Sequence, residues 1–484
     1  MKLSAFFLLY IKIALRHIMK DLYRLHVGVA VCLAVCCSLL IVSPNSSAQQ
    51  HVLSIKEALS LVQTQQPQLK GYREQATAAG YNIKTVKNTL LPEVTAGYQA
   101  GYATYNNITG MSYPGLILPI SGPPSAGNTY DPVPGTALTA MVKWNPLTFG
   151  QRQASADKAA AQYKLANSYY NDALFRQQYM VIATYLDAVY LQQLTHSYEV
   201  NIERIKGGLL QSLVYAQQGL KPGIDTTQFQ AALAQAETDL LTIQKQYHSQ
   251  ISELTRLTGL PDLPDHVQLS DTGLINQEPP MADNSGILTN HPVYQYYQTR
   301  KEVSEAALKE VQRAWRPRLD LWANAYARGS GVAADGTINK ADGWSLSHKN
   351  YGAGLQVSFP ILQFSQVNLQ KKQYHALVKA DEEQLSQISL NLQKQQETAQ
   401  YNYHQNILIL RQSVVQSRAA RYAFDGLKLS YQSGLIDFTR LIQGQYDLLK
   451  AEAGEAGAYL QAWHALLEIA VSNGRLEQFT DKMK

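Results

Sequence analysis

The sequence predicts an α+β membrane protein that combines long antiparallel α-helical hairpins with four amphipathic β-strands. Three observations predict this class: an internal repeat along the 484 residues, four segments in which polar and apolar side chains alternate, and two proline-free stretches at 147–218 and 364–433. The length alone would suggest about three domains. The repeat overrides that estimate, because repeated segments usually fold as copies of one structural unit.

Residues 1–48 are predicted to be a signal peptide. An apolar run at 27–42 follows Lys20 and Arg24 and precedes the small residues at 46–48, an order typical of a cleaved secretory signal. An uncleaved membrane anchor is the alternative, although the run is short for a membrane span. The sequence is compatible with translation from Met1 and with translation from Met19.

Composition argues against several classes of function. The chain has 42 Lys and Arg against 37 Asp and Glu, with much of the excess in the first 48 residues. The rest is nearly neutral, which argues against binding nucleic acid through its phosphates. Neither the 11 histidines nor the glycines show metal-ligand or phosphate-loop spacing, so we expect no metal site, no cofactor and no enzymatic activity. All three cysteines lie in the predicted signal peptide, so we expect neither disulfides nor thiolate sites in the mature chain: Cys32, Cys36 and Cys37.

The second half of the chain repeats the first. Pro67 and Pro92 are spaced like Pro292 and Pro317. From Trp144 onward the match continues at a constant offset of 215 positions. The matched residues are Trp144 with Phe359, Phe149 with Phe364, Gly219 with Gly434, Leu220 with Leu435, and Gly259 with Gly474. A single insertion between Pro92 and Trp144 accounts for the change of offset. We therefore predict two structural repeats, at 49–270 and 271–484.

Each repeat should contain a helix, two strands and two long helices. The predicted strands are about 93–105, 136–146, 317–328 and 350–360. Each is about ten residues long, enough for a tilted strand to cross a bilayer, and the polar faces suit a water-filled lumen. A soluble sheet packed on helices is the alternative. Aromatic residues near the strand ends are predicted to lie at the membrane interfaces: Tyr98, Tyr102, Trp144, Trp322, Tyr351 and Phe359.

The long helices are predicted at about 147–218, 225–258, 364–433 and 437–474. Seventy helical residues span about 100 Å. The three-four alternation of apolar residues from Phe229 to Leu257 is typical of a coiled-coil seam. Helices with such narrow seams must pack side by side with others.

Four membrane strands cannot close a barrel, because single-chain barrels begin at about eight strands. An open edge in lipid would leave backbone groups without partners. Two copies would give a narrow barrel filled by side chains, and three would give twelve strands around an aqueous passage. The polar strand faces favour a homotrimer, with the long helices continuing the wall as an α-barrel on the periplasmic side.

The repeat, the strand starts Leu91-Pro92 and Arg316-Pro317, the Trp-Asn-Pro-Leu-Thr-Phe-Gly motif at 144–150 and the segment 431–438 occur in a specific order. In this order the chain resembles the TolC-type outer-membrane efflux proteins from about residue 53 to residue 476. The resemblance implies a trimer in the Gram-negative outer membrane, with a twelve-stranded β-barrel and a helical tunnel through the periplasm. It also implies a passive exit duct for efflux or type I secretion, opened by a periplasmic adaptor and an inner-membrane pump.

The resemblance further implies roles for residues at the helix turns. In similar proteins an adaptor docks at the turns, which here hold Gly219, Leu220, Gly434 and Leu435. The alternative is that these glycines simply end helices.

Similar proteins also close the periplasmic end with hydrogen bonds between the two turns. The matching residues here are Asp225 and Tyr431. A carboxylate–phenol bond suits a latch because it is strong when dry and exchanges readily for water. Alternatively, Asp225 caps the returning helix. Members with acidic rings carry Asp where this chain has Arg440 and Gln443, so that ring does not carry over. Asp437 is the nearest carboxylate and is assigned to the gate.

Two other functional classes remain open on the sequence alone. One is a periplasmic coiled-coil scaffold or adaptor that conducts nothing, against which the four amphipathic strands count. The other is a secreted enzyme, for which the sequence offers no catalytic constellation. The exported substrate cannot be read from the sequence, because a wide aqueous tunnel selects little.

Overall fold

A computed structural model describes residues 52–104, 127, 130–220, 223–260, 268–281, 286–333, 335–360 and 363–483. By their contacts the residues form a large unit, Leu53–Leu263 with Leu269–Lys484, and a small one, Met1–Val52 with Pro264–Gln268. Of the small unit only Val52 and Gln268 are described. The predicted signal peptide lies outside the described residues. The long helices and the four-stranded sheet all belong to the large unit.

Helices and strands follow one another along the large unit. Helices α1 and α2 are followed by strands β1 and β2 and then by helices α3 and α4. Helix α5, strands β3 and β4, and helices α6, α7 and α8 complete the chain. Their bounds are α1 Ile55–Gln65, α2 Pro67–Asn88, β1 Glu93–Thr104, β2 Pro132–Leu147, α3 Gln151–Gln217, α4 Ile224–Thr258, α5 Pro292–Arg313, β3 Arg318–Ser330, β4 His348–Ser358, α6 Phe364–Gln432, α7 Phe438–Ser472 and α8 Glu477–Thr480. Short 3-10 helices occur at Thr272–Asn276, Leu288–Asn290 and Asp342–Trp344.

Corresponding helices of the two halves have similar lengths. Helices α2 and α5 each have 22 residues, α4 and α7 each have 35, and α3 and α6 have 67 and 69. Pro67 and Pro292 occupy the first position of α2 and α5, where the missing N–H has no helical partner to lose. At 1.5 Å per residue, α3 is about 100 Å long.

Glycine ends each of the four longest helices. Gly219, Gly259, Gly434 and Gly474 have φ between 67° and 78°, the left-handed conformation in which a Cβ is unfavourable. Behind Gly219 and Gly434, the next residue's N–H bonds back to a carbonyl five positions earlier, at 2.9 Å in both cases. These bonds close the terminal turns of α3 and α6 as Schellman motifs.

The four strands form one antiparallel sheet in the order β1-β2-β3-β4. The register aligns Val94 with Val142, Val142 with Ala323, and Ala323 with Ala353. Because side chains alternate along a strand, this register collects the apolar residues on one face and most polar residues on the other. The predicted mostly helical fold with four antiparallel strands is confirmed.

Within the described part of the chain, no helix is both long enough and apolar enough to cross a membrane.

Gly259 provides a test of the helix ends. A Cβ on Gly259 would lie 2.8 Å from the Gln66 Cα, and the residue has φ +78°. Gly259→Val should therefore lower the free energy of unfolding by about 2 kcal/mol or more, measured by denaturant unfolding followed by circular dichroism. Gly71→Ala, inside α2 with nothing within 4 Å of its Cβ position, is the control and should be neutral or stabilise by about 0.5–1 kcal/mol. Equal stabilities would show that Gly259 is not required.

Candidate functional site

The first candidate site is the tip, defined as the region where α3 turns into α4 and α6 turns into α7. Its core is aromatic: the Phe229 ring meets Phe438 edge-on with centroids 4.5 Å apart and Tyr431 with centroids 6.3 Å apart. Phe229 and Tyr431 are each 1% exposed. Such pairs add stability beyond their buried area, so the two hairpins are held together near their turns.

Two glycines inside helices permit this packing. A Cβ on Gly208 of α3 would lie 2.4 Å from the Phe229 ring, and one on Gly444 of α7 would lie 2.4 Å from Leu427 Cδ1. Both distances are far too short for a real contact. The packing role of these glycines does not follow from the sequence, although a glycine inside a long helix is a signal of close packing.

The structure brings Asp225 and Tyr431 together. The Tyr431 hydroxyl donates to Asp225 Oδ2 at 3.0 Å and so joins the end of α6 to the start of α4. Burial raises the pKa of Tyr431 above its usual value, and the bond to Asp225 raises it further. The phenol therefore keeps its proton at neutral pH. The bond's contribution is present below the usual tyrosine pKa of about 10 and is lost only as pH rises through the raised value.

Asp225 is not the cap of α4. The cap position is Gly223, which makes no side-chain cap bond, and Asp225 lies in the first helical turn. There its charge also matches the positive end of the helix dipole.

Asp437 occupies a different environment. Its carboxylate accepts the Arg440 backbone N–H at 2.9 Å and thereby caps α7. The observed partner of Asp437 is thus the backbone, whereas the carboxylate of Asp225 bonds the phenol. The assignment of Asp437 to the gate remains a prediction.

The residues predicted for docking project from the tip. Leu220 is 65% exposed and Leu435 is 78% exposed, and each follows a glycine whose Cβ position is open. Further from the turns, Glu452 of α7 bonds Arg204 of α3 at 3.0 Å and Arg421 of α6 at 2.8 Å. This bridge connects three helices and was not predicted from the sequence.

The second candidate site is the apolar sheet face, on which the apolar side chains of all four strands lie together. The register places Tyr98, Tyr102, Trp144 and Tyr351 on this face. Most of its side chains are exposed, while Leu319, Leu321 and Ala327 are half-buried. Phe359, just beyond β4, is exposed as well. The face comprises Val94, Ala96, Tyr98, Ala100, Tyr102, Leu138, Ala140, Val142, Trp144, Leu319, Leu321, Ala323, Ala325, Ala327, Tyr351, Ala353, Leu355 and Val357.

Trp322 departs from the predicted set of interface aromatics. It lies on the opposite face between Asp320 and Asn324, and its ring covers Gly354, where a Cβ would be 2.8 Å from Trp322 Cε2. The even numbering of the polar residues in β3 already placed position 322 on this side. Residue type suggested an interface role, and the register decides the face.

The junction is defined as residues 144–152 together with 313–318. Its motif at 144–150 carries part of the family resemblance, but nothing in the sequence indicates a functional site in the junction. Trp315 and Phe149 are exposed there, beside three arginines that bond main-chain carbonyls. Among the residues that the structure describes, no group of acidic, histidine or cysteine side chains could hold a metal ion.

Comparison with known proteins gives structural matches only. No protein-family model matches the chain, and no curated protein matches it. The outer-membrane channel OprN superposes with a TM-score of 0.67 at 16% identity, covering 88% of this chain and 90% of OprN. CusC, whose structures concern folding and transmembrane channel formation, gives 0.70 at 10%, covering 90% and 96%. The CmeC outer membrane channel of Campylobacter jejuni gives 0.70 at 11%, covering 89% of each chain.

These neighbours are channel proteins rather than enzymes. At such identities the likeness concerns the fold, and it covers 88–90% of this chain. The resemblance predicted from the sequence is confirmed at that level: the chain has the fold of the TolC-type outer-membrane efflux channels.

Proposed function

We propose that the protein is an outer-membrane channel that serves as the passive exit duct of a tripartite efflux or type I secretion system. The observation that carries this proposal is the sheet. One of its faces is apolar and exposed, the other is largely polar, and four strands are too few to close. In a soluble scaffold such a surface would favour aggregation, because large exposed apolar patches promote contacts between molecules.

The dimensions of the apolar sheet face fit a membrane. From Val94 to Tyr102 the face follows β1 for nine residues. A tilted strand needs about 9–11 residues to span a bilayer. The opposite face, with Gln99, Asn324 and Gln356, would line an aqueous lumen.

The sheet edges support a homotrimer. In the described part of the chain β1 and β4 are the outer strands, and each has a strand neighbour on one side only. In lipid each unpaired backbone group costs several kcal/mol. Pairing β1 of one copy with β4 of the next would remove both edges, and three copies would give a twelve-stranded barrel with an aqueous bore.

The long helices would continue this wall into the periplasm as an α-barrel. Helix α6 exposes apolar side chains along its length, including Leu369, Tyr401, Ile409 and Tyr422. Packing against helices of neighbouring copies would bury them. The matched helix lengths support two duplicated repeats, 49–270 and 271–484, each contributing one long hairpin.

The tip would carry gating and docking at the periplasmic end. The Asp225–Tyr431 bond is the proposed latch, and Asp437 is assigned to the same gate. Leu220 and Leu435 with Gly219 and Gly434 are the proposed contacts for a periplasmic adaptor. Energy for transport would come from an inner-membrane pump joined through that adaptor.

The proposal predicts trimers that conduct ions. Protein extracted from outer membranes with detergent should have the mass of three mature chains, and planar bilayers containing it should show discrete conductance steps. Recovery as a soluble monomer, or membrane trimers without conductance, would contradict the proposal.

The latch predicts a gain of conductance. Tyr431→Phe with Asp225→Ala removes a bond to a charged group worth about 1.5–3 kcal/mol, which corresponds to about a tenfold or larger shift toward the open state. Open probability in planar bilayers is the measurement. Tyr422→Phe with Asp425→Ala makes the same chemical changes at exposed positions of α6 and should leave open probability unchanged. Equal open probabilities would remove the latch.

The docking assignment predicts a loss of partner binding. Leu220→Glu with Leu435→Glu should leave trimers intact, because both side chains are exposed. The amount of adaptor and pump recovered with the tagged trimer from its natural host should fall at least about tenfold, since a desolvated leucine contact contributes about 1.4 kcal/mol or more. Leu241→Glu, equally exposed but in the middle of α4, is the control. Undiminished recovery would refute the assignment.

A further inference from the structure

The junction between β2 and α3 has an unusual backbone. A β-bulge interrupts the pairing of β2 with β3 between Trp144 and Leu147. Phe149 then has φ +48°, the one positive φ of a non-glycine residue in the described chain, and Gly150 follows with φ +88°. Such a conformation in a bulky residue costs about 1–3 kcal/mol and persists only where its surroundings hold it.

Three arginines hold this turn. The guanidinium of Arg313 donates to the Gly150 carbonyl at 3.0 Å, and that of Arg316 donates to the Phe149 carbonyl at 2.7 Å. Arg152 donates to the Asn145 carbonyl. A Cβ on Gly150 would lie 3.0 Å from Nη1 of Arg313 and 3.4 Å from Nη1 of Arg316. Two positive charges therefore converge on one small space beside a glycine.

None of these arginines has an acidic partner within the described residues. The carboxylate nearest Arg313 along α5 is Glu310, and it bonds Lys158 at 2.9 Å instead. Asp320, at the base of β3, accepts from the Asn145 amide. Glu93 lies opposite Lys143 in the sheet register.

The charge also opposes the helix dipole. Helix α3 begins at Gln151 with Arg152 in its first turn, and no acidic residue lies in that turn. The first turn of a helix favours negative charge, so the cluster lacks an anion. The first turn of α3 thus carries a positive charge that no acidic residue in that turn balances. Departures of this kind from a local preference are typical of functional sites.

The cluster adjoins the end of the apolar sheet face. Trp144 and Leu147 end that face on β2, and both are exposed. Beyond them, Phe149 is 44% exposed and Trp315 is 50% exposed. Tryptophan beside arginine at the limit of an apolar band is the pattern of a membrane–water interface, where the ring contacts acyl chains and the cation reaches the headgroups.

We infer that the junction binds the phosphate of an anionic phospholipid in the periplasmic leaflet, between the guanidinium groups of Arg313 and Arg316; this rests on the proposed outer-membrane location. Each guanidinium carries five N–H donors and uses one of them on the turn. The remaining donors suit the bidentate geometry of phosphate oxygens. Phe149 and Trp315 contact the acyl chains of the same lipid.

The test uses full-length trimer in neutral detergent, titrated with phosphatidylglycerol, phosphatidylcholine or inorganic phosphate, with binding followed by native mass spectrometry. We expect phosphatidylglycerol to bind at least tenfold more tightly than phosphatidylcholine. Arg313→Gln with Arg316→Gln should abolish that preference. Glutamine retains a donor for the two carbonyls but has no charge. The matching double Lys variant should keep most of the preference.

Arg256→Gln with Arg411→Gln is the matched control, because both arginines are exposed on other helices. It should bind phosphatidylglycerol like the wild type. Equal binding of the two lipids, equal loss in the control, or binding of inorganic phosphate as tight as that of the lipid would overturn the inference.

A second measurement avoids any arginine variant, in case the Gln variants fail to assemble. In wild-type trimers, brominated phosphatidylglycerol should quench tryptophan fluorescence more strongly than brominated phosphatidylcholine, and Trp315→Phe should reduce that difference. Equal quenching by the two lipids would overturn the inference. Conductance in bilayers of phosphatidylcholine alone tests the channel proposal separately, so a conducting protein without lipid preference refutes only the lipid site.

Discussion

In the proposed membrane location, a peptide group surrounded by hydrocarbon has no water to bond, and this constraint would account for most of the architecture. In the described part of the sheet, only the interior strands β2 and β3 have hydrogen-bonded strand neighbours on both sides. The apolar sheet face extends onto the outer strands, and its side chains suit lipid. The unpaired backbone N–H and C=O groups at the outer edges of the same strands do not. The proposed assembly with further copies would satisfy both requirements. The exposed apolar side chains of α6 make the same demand on the helical part.

The tip is stabilised in a different way. Here the chain buries a polar contact, Tyr431 to Asp225, inside an aromatic cluster formed by Phe229 and Phe438. Exclusion of water strengthens such a bond, while an opening movement would replace it with bonds to water at modest net cost. In the proposed channel, such a bond would keep the tip closed at rest and still allow a partner to release it. The pKa of Tyr431 is raised by the same burial, so proton loss does not interfere at neutral pH.

The junction connects the sheet to the long helices. Strand β2 must end its pairing and α3 must begin within a few residues, and the bulge, Phe149 and Gly150 make that change of direction. Arginines from the end of α5 hold the turn through its carbonyls. Their charge then remains uncompensated next to exposed aromatic side chains. A single cluster can thus fix the turn and meet a lipid headgroup, because a guanidinium has more donors than the turn uses.

The sequence by itself determined the features that depend on near neighbours. Alternation in the strands, the missing prolines of α3 and α6, and the glycines after the long helices are local patterns, so the order of the elements followed from them. The pairing of Asp225 with Tyr431 was reached through the resemblance to a family. Only the tertiary structure decided which distant segments meet: Gly208 against Phe229, the bridge of Glu452 to two helices, and Arg313 and Arg316 against the Phe149–Gly150 turn. It also separated Trp322 from the other aromatic residues and made Asp437 a helix cap. The physical reason is that periodicity and turn chemistry act over a few residues, whereas side-chain packing and converging charge depend on residues of different helices and strands, up to 248 positions apart.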